Sequence, residues 1–321
     1  MLVTLVLTHD CNLNCSYCYT GPKFDRSMPL QVAWKALQLA FQHGRHAPGP
    51  HAMTFFGGEP LLCFERMAQV MRLVRRWETR SGVHWIPKLT TNVTLMNEKI
   101  LNFFCEYDFR VAFSVDGKGD VHDRYRPFVS GKGSSSVVWR NLARAAGRLR
   151  DPVIHIVLNP DTFRDLPQTV EALQKLGYSD IRCNPNADTD WSAVTSTELA
   201  TALASVPRST TSNPRNMGCD FGGRQWTVAP SGNLYPCSRL VGDDRREDVR
   251  CGHVNTGPDQ HSLERLAERS QLMGQALGLK LHCGCDALMP GPVVAPLRNR
   301  SLYARALQQS KSEEPPLKDW G

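Results

Sequence analysis

Apolar and polar positions alternate in two rhythms along most of this chain. The first residues, MLVTLVLT, form an apolar run of strand length, and a helix-like segment follows from Met28-Pro29 to about Gly44. AMTFF (52–56) reads as a second strand and Phe64 to Arg80 as a second helix. The pattern continues through HWIPKLTT (84–91), a helix near Asn97 to Cys105, RVAFSV (110–115) and a helix near Ser136 to Leu149. VIHIVLN (153–159), a helix near Leu166 to Leu176 and SDIRCN (179–184) complete it. Six strands with five helices between them, in order, predict an α/β fold with a parallel sheet and helices packed outside it. Six is short of a closed eight-fold barrel, so right-handed crossovers leave a partial (β/α)6 barrel with active-site loops at the carboxyl ends of its strands.

The rhythm breaks at VPRSTTSNPRNMG (206–218), where Ser, Thr, Asn and Pro replace the apolar periodicity and predict a linker. Beyond it QWTVAPSGNLYPC (225–237) reads as a β-hairpin around Pro230-Ser231-Gly232-Asn233, and LYARALQQS (302–310) as a last helix after the Pro-rich MPGPVVAPLRN. The expected division is a barrel over 1–206 and, over 207–321, a linker with a small hairpin-containing module and a C-terminal helix.

Composition narrows the chemistry. A chain of 321 residues buries a full core without disulfide staples. The amino terminus lacks a basic leader and a small-residue cleavage site, and no run approaches the ~20 apolar residues of a membrane span. A cytoplasmic, reducing location is therefore expected, and with it eleven cysteines that serve as ligands or buried thiols. The net charge of +7 is scattered. RLVRRW (72–77) and GRLR (147–150) read as solvated faces, so neither a nucleic-acid nor a membrane partner is expected.

The densest chemistry lies in THDCNLNCSYCYTG (8–21), where Cys11, Cys15 and Cys18 follow the first strand at C-x3-C-x2-C spacing. Three thiols are one too few for a closed tetrahedral zinc site. In a cubane 4Fe–4S cluster, three protein thiolates leave one iron corner open to another ligand. Three incidental loop thiols, or half of a zinc site, remain the bland alternative.

That spacing, with an aromatic residue before the third cysteine, resembles the radical S-adenosylmethionine (SAM) enzymes over the first 200 residues. The resemblance implies a 4Fe–4S cluster on Cys11, Cys15 and Cys18 and SAM on the open iron, cleaved reductively to a 5′-deoxyadenosyl radical that abstracts a substrate hydrogen. FFGGEP (55–60) looks like the family's GGEP motif, in which Gly57, Gly58, Glu59 and Pro60 hold the amino group of SAM. The glycines allow close backbone approach and Glu59 adds an acceptor for an ammonium group. LTTNVT (89–94) brings Thr91 and Asn92 to the ligand, and AFSVDG (112–117) is similar to a segment that lines the SAM pocket, through Ser114 and Asp116. HDRYRP (122–127) places Arg126 for the SAM carboxylate, with a surface role as its alternative. Asn159 ends the fifth strand as a further candidate, the alternative being a cap for the next helix.

Cys63, Cys105 and Cys183 stand singly and read as core or near-core thiols. Cys219 and Cys237, before and at the end of the hairpin, resemble ligands of the twitch and SPASM modules appended to radical SAM enzymes. With Cys283 and Cys285, and Cys251 as a substitute for one of that pair, they imply one auxiliary 4Fe–4S cluster, with structural zinc as the alternative. Sulfatase-maturing relatives place an acidic residue directly after the hairpin cysteine. Here Ser238 stands there, and Asp220, Asp243 and Asp244 are the nearby acids, read as solvated. No catalytic side chain is assigned.

The expected reaction is modification of a ribosomally made peptide by crosslinking, epimerisation or oxidation. Electrons would come from a flavodoxin- or ferredoxin-type donor. Only ten residues precede Cys11, so a leader peptide is expected to dock on the body of the enzyme or on a separate recognition protein. The alternatives are a twitch-type small-molecule alcohol dehydrogenase, a sulfatase-maturase-like enzyme and, outside catalysis, a zinc-binding module.

Overall fold

The computed structural model describes residues 1–186, 188–207 and 224–276, together with 302, 305, 306 and 308–310. In chain order its elements are β1 (Leu2–Thr8), α1 (Leu30–Gly44), β2 (His51–Gly57), α2 (Phe64–Ser81), β3 (Trp85–Thr91), α3 (Glu98–Glu106) and β4 (Arg110–Ser114). They continue with α4 (Asp120–Asp123), α5 (Ser135–Ala145), β5 (Val153–Leu158), α6 (Leu166–Lys175), β6 (Asp180–Pro185) and α7 (Ser196–Leu203). A second group comprises β7 (Gln225–Val228), β8 (Leu234–Tyr235), β9 (Gly252–His253), β10 (Gly257–Pro258) and α8 (Gln260–Ala276). No helix among the described residues is long and apolar enough to cross a membrane.

The main sheet runs β6-β5-β4-β3-β2-β1-β7-β8. From β1 to β6 every neighbouring pair is parallel and the order never reverses. A doubly wound sheet reverses at a switch point, whereas a one-way series of same-handed crossovers keeps its helices on one face and curls toward a barrel. Phe55, Leu89, Phe113 and Ile154, one from each of β2 to β5, are wholly buried. Local signals set the helix ends. The Asn97 side chain accepts from Ile100 N at 3.0 Å to start α3, and Gly82 at φ 69° closes α2.

Three expectations shift. The helix near Ser136 to Leu149 stops at Ala145, because Ala146 turns extended and Gly147 takes φ 70°. A helix absent from the sequence reading, α7, opens on a capping box between Thr195 and Glu198. The hairpin expected in the second module forms as β7 and β8. It is not detached from the barrel, because β7 pairs in parallel with β1, from Leu2 with Gln225 to Leu5 with Val228. The free edge of β1 would otherwise present unpaired peptide groups. Cys219, Cys283 and Cys285 and most of the expected linker lie outside the described residues. Of the expected last helix, 302, 305, 306 and 308–310 are helical.

Candidate active site

All six parallel strands end on one rim, and the residues singled out from the sequence stand along it. Thr8 ends β1, and the next residues turn sharply: Asp10 N donates to Thr8 Oγ1 at 3.0 Å and Cys11 N to Asp10 Oδ1 at 2.8 Å. The cysteine loop is then laced to the segment after α4. Asn14 N donates to Pro127 O at 2.9 Å, Ser16 N to Tyr125 O at 3.1 Å and Val129 N to Asn12 O at 3.1 Å. Main-chain bonds therefore fix where the three thiols stand, and the described cysteines are all free thiols.

The glycines of the GGEP turn serve this loop. Gly58 N donates to Thr8 O and Glu59 N to Asp10 O, each at 2.9 Å. A Cβ on Gly57 would fall well under 3.0 Å from Thr8 O, and one on Gly58 equally close to Asp10 O and 3.0 Å from Cys11 Cβ. The close backbone approach that these glycines allow is made to the chain's own cysteine loop. Gly58→Ala is expected to cost ~1–3 kcal/mol of strain and to displace Cys11. Urea unfolding and iron content after anaerobic reconstitution check both.

Glu59 is also committed within the chain. It is fully buried with both carboxylate oxygens engaged within the chain: Oε1 accepts from Leu61 N at 3.0 Å and Thr91 Oγ1 at 2.8 Å, Oε2 from Asn92 N at 2.7 Å. Burial pushes its carboxyl up to about 7 against the pull of those three donors. The side chain is thus the rivet between the ends of β2 and β3, and any further acceptance would use its remaining lone pairs.

What Glu59 holds is the Asn92 turn. The Asn92 Nδ2 group donates to Asn12 Oδ1 at 2.9 Å and points at Cys11 Sγ, 3.9 Å away. Its Oδ1 accepts from Thr94 N and Thr94 Oγ1. Val93, next in line, is buried with φ 69°, a conformation that costs a β-branched residue energy and that the surrounding bonds impose.

At the end of β4, Ser114 is half-buried and Asp116 buried. Asp116 Oδ1 accepts from Val157 N at 3.0 Å, and Oδ2 accepts from the Tyr17 hydroxyl and lies 3.0 Å from Arg126 Nε. Arg126 is buried rather than superficial. Burial opposes its charge, but Asp116, Tyr17 and Cys15 more than offset that and hold its pKa above the ordinary value. The guanidinium also lies 5.2 Å from the Tyr17 ring centroid. Asp116 and Arg126, two separate candidates in the sequence, form one ion pair. Nη1 and Nη2 of Arg126 carry no bond among the described residues, which leaves its fork available to an anion.

His122 supports this pair from behind. It is wholly buried, and its Nδ1 accepts from Asp116 N at 3.2 Å, so the ring must be neutral. Burial, with Arg126, lowers its pKa to about 4. In the unfolded chain the imidazole titrates near ~6.5. Between those values only the unfolded state takes up the proton, so stability is complete above pH ~6.5 and falls as pH drops toward 4. A loss of about 2 kcal/mol is expected between pH 6.5 and 5. Urea midpoints across that range check it, and His122→Asn should flatten this part of the profile.

At the ends of β5 and β6, Asn159 Oδ1 accepts from Asn186 Nδ2 at 2.7 Å. Asn159 does not cap the next helix with its side chain; its backbone carbonyl receives Thr162 N and Phe163 N. Its Nδ2 is buried without a partner, a donor left over on the rim. Asn12, Lys23, His122 and Asn186 were missed from the sequence. Asn12 lay inside the quoted cysteine loop and His122 inside HDRYRP, but nothing local marked Lys23 or Asn186.

The hairpin side reaches the same place. Cys237 follows β8 and is buried, and the Tyr19 hydroxyl lies within electrostatic reach of both the Cys18 and Cys237 thiols. Cys251 is wholly buried, its N donating to Leu234 O at 2.8 Å, and burial pushes its thiol up to about 12. Asp244 is buried rather than solvated. It accepts from Ser231 N, Asn233 Nδ2 and the Tyr235 hydroxyl, each at 3.1 Å, and braces the hairpin turn.

Residues 5–177, more than half of the chain, match the Radical SAM superfamily. The chain belongs to that superfamily. A cysteine-type anaerobic sulfatase-maturating enzyme of Clostridium novyi is 27% identical over 187 residues, 56% of this chain and 49% of that protein. The chain spans less than half the length of the first curated relatives it matches. Native anSMEcpe with bound AdoMet superposes with a TM-score of 0.71 at 18% identity, covering 98% of this chain and 100% of that one, and has also been solved with a bound Cp18Cys peptide. Streptococcus suis SuiB bound to its precursor peptide SuiA gives 0.52 at 12% identity over 76% and 61%. These likenesses establish the partial-barrel fold.

The superfamily's cofactors are a 4Fe–4S cluster and SAM, and the rim suits them. Three unpaired thiols stand on a loop held by main-chain bonds, the Arg126 fork is open, and a buried amide nitrogen on Asn159 lacks a partner. Among the described residues no three His, Cys, Asp or Glu side chains converge on a single-ion position. Thiolates on separate corners of a cubane need not converge.

Proposed function

We propose that this radical SAM enzyme modifies a ribosomally synthesised peptide, by a crosslink, an epimerisation or an oxidation begun by hydrogen abstraction. The observation that carries it is the full-length likeness to a fold solved with a peptide bound, in a chain whose own rim supplies the three-thiol loop. A cluster on Cys11, Cys15 and Cys18 with SAM bound would supply a 5′-deoxyadenosyl radical.

The chain's residues orient and enclose. Gly57, Gly58, Glu59 and Pro60 set the cysteine loop against β2, beside which the amino group of SAM would lie. The Arg126 fork, fixed by Asp116, would receive its carboxylate. Thr91, Asn92, Ser114 and Asn159 line the same rim, and the Asn159 Nδ2 is the donor with most to gain from a ligand acceptor. Aromatic contacts of Tyr17 with Tyr125, at 6.1 Å between centroids, help keep water from the thiols.

The second module, from 207 onward, is assigned one auxiliary 4Fe–4S cluster held by Cys219, Cys237, Cys283 and Cys285, with Cys251 the substitute. The chain is expected to work in the cytoplasm, reduced by a flavodoxin- or ferredoxin-type protein. Peptide capture would use the enzyme body or a separate recognition protein. A sulfatase-maturase-like reaction is the second reading, favoured by the named relatives and opposed by Ser238 in the place of an acid.

Co-expression with short open reading frames from the same neighbourhood, followed by mass spectrometry, tests the proposal. Peptide losing two hydrogens, or taking up deuterium from solvent, is expected. Turnover of a sugar or cyclitol alcohol with no change in any peptide would establish the dehydrogenase alternative. A colourless protein with near-stoichiometric zinc would establish the non-catalytic zinc-binding alternative, and a brown protein with zinc beside one cluster's worth of iron would replace the auxiliary cluster alone.

A further inference from the structure

The three cysteines are served unequally by their neighbours. Cys11 Sγ meets neutral donors, Leu13 N at 3.4 Å and Asn92 Nδ2 at 3.9 Å. Cys15 Sγ receives no hydrogen bond among the described residues, and the cation near it, Arg126, is already paired with Asp116. Cys18 alone faces a full positive charge through a hydrogen bond: Lys23 Nζ lies 3.2 Å from its Sγ.

The position of that ammonium does not depend on the sulfur. Lys23 has three N–H donors, and two are taken by oxygens of its own turn, Thr20 Oγ1 and Gly21 O, the latter at 2.9 Å. The third is left aimed at Cys18. Lys23 forms no ion pair with a carboxylate among the described residues, so its charge is not spent elsewhere. Thr20 Oγ1, 3.2 Å from the same sulfur, adds a second polar contact. Gly21, which carries the carbonyl acceptor, packs against Gly242, so the turn is braced from the hairpin side.

We propose that Lys23 is a positioning residue that sets the reduction potential of the cluster on Cys11, Cys15 and Cys18, raising it by holding an ammonium against Cys18 Sγ. The inference rests on the reading that these cysteines hold a 4Fe–4S cluster. The couple takes up one electron, and the added negative charge is stabilised by a fixed cation a few ångströms away at reduced dielectric. Hydrogen bonds and charge at the sulfurs are levers by which a protein moves such a potential. A raised potential eases reduction by an external carrier and lessens the driving force passed on to SAM.

Anaerobic redox titration of the full chain tests this, following the cluster signal whose paramagnetic spectrum changes on adding SAM. Wild type is compared with Lys23→Met, Lys23→Gln and Lys23→Arg. Met and Gln are expected to keep the iron and sulfide content and to lower the midpoint by about 59 mV or more, a tenfold change in the one-electron equilibrium. Arg should restore most of it. An unmoved midpoint in the loaded Met and Gln variants would overturn the proposal. So would loss of the cluster from both, which would make Lys23 a brace for the loop. A wild-type chain with no SAM-responsive signal would remove the cluster reading itself, and the proposal with it, whatever the Lys23 variants did.

Discussion

Cys15→Ala is expected to release no 5′-deoxyadenosine above background when incubated with SAM and dithionite, under conditions in which the wild-type chain releases it steadily. Cys15 sits midway in the loop, where Cys18 N donates to its carbonyl at 3.2 Å, and its Sγ makes no hydrogen bond among the described residues. Truncation to alanine therefore removes one thiolate and leaves the bonds to Pro127, Tyr125 and Asn12 in place. Two thiolates would remain for a cluster that needs three protein corners and one corner for SAM. Thermal melting should show a folded protein, and Cys63→Ala is the control, since that thiol is half-buried at 3.3 Å from Ser27 Oγ, outside the loop. Chromatography with mass detection of the nucleoside is the measurement. Undiminished release by Cys15→Ala would refute the cluster assignment.

Most of the barrel can be read from the sequence because its strands and helices switch cleanly between periods of two and 3.6. The errors have identifiable causes. Helix α5 was extended four residues too far because Gly147 looks tolerable within a helical pattern until it takes φ 70°. Helix α7 has a signal of its own in the sequence, the capping box that Thr195 and Glu198 spell, but the polar 206–218 stretch follows it where a strand would continue the alternation. The hairpin was placed correctly, but its pairing with β1 was not foreseen, because alternation fixes which face a strand buries and not which edge it joins.

The site shows the same division. Motif spacing put the rim residues at the ends of their strands, so Glu59, Asn92, Asp116 and Asn159 lie where the order of βα units requires. What each side chain touches was not legible. Glu59 turns inward to Thr91 and Asn92, Asp116 and Arg126 join, and Lys23 bends back onto Cys18, five positions earlier, through a turn that has no pattern. Those contacts depend on how one loop lies against the next, which a one-dimensional pattern does not encode.

Asp116→Ala is expected to destabilise the protein by ~3–5 kcal/mol, the cost of leaving a buried charge without its partner. Arg126 is almost entirely enclosed and Asp116 is its one carboxylate among the described residues. The substitution also leaves Val157 N and the Tyr17 hydroxyl without their acceptor, and unmet buried donors each add to the penalty. Asp116→Asn should cost less, because its carbonyl oxygen still serves Val157 N. Removing the cation as well should recover part of the loss, so Asp116→Ala with Arg126→Met is expected to be more stable than Asp116→Ala alone. Anaerobic urea unfolding of the four proteins gives the cycle. A double variant no more stable than Asp116→Ala would show that the lost acceptors, rather than the stranded guanidinium, dominate. Function adds a separate reading: since the Arg126 fork is held in place by Asp116, Asp116→Asn should weaken SAM binding even where the fold survives, and equilibrium binding of SAM to the reconstituted variant measures that loss directly.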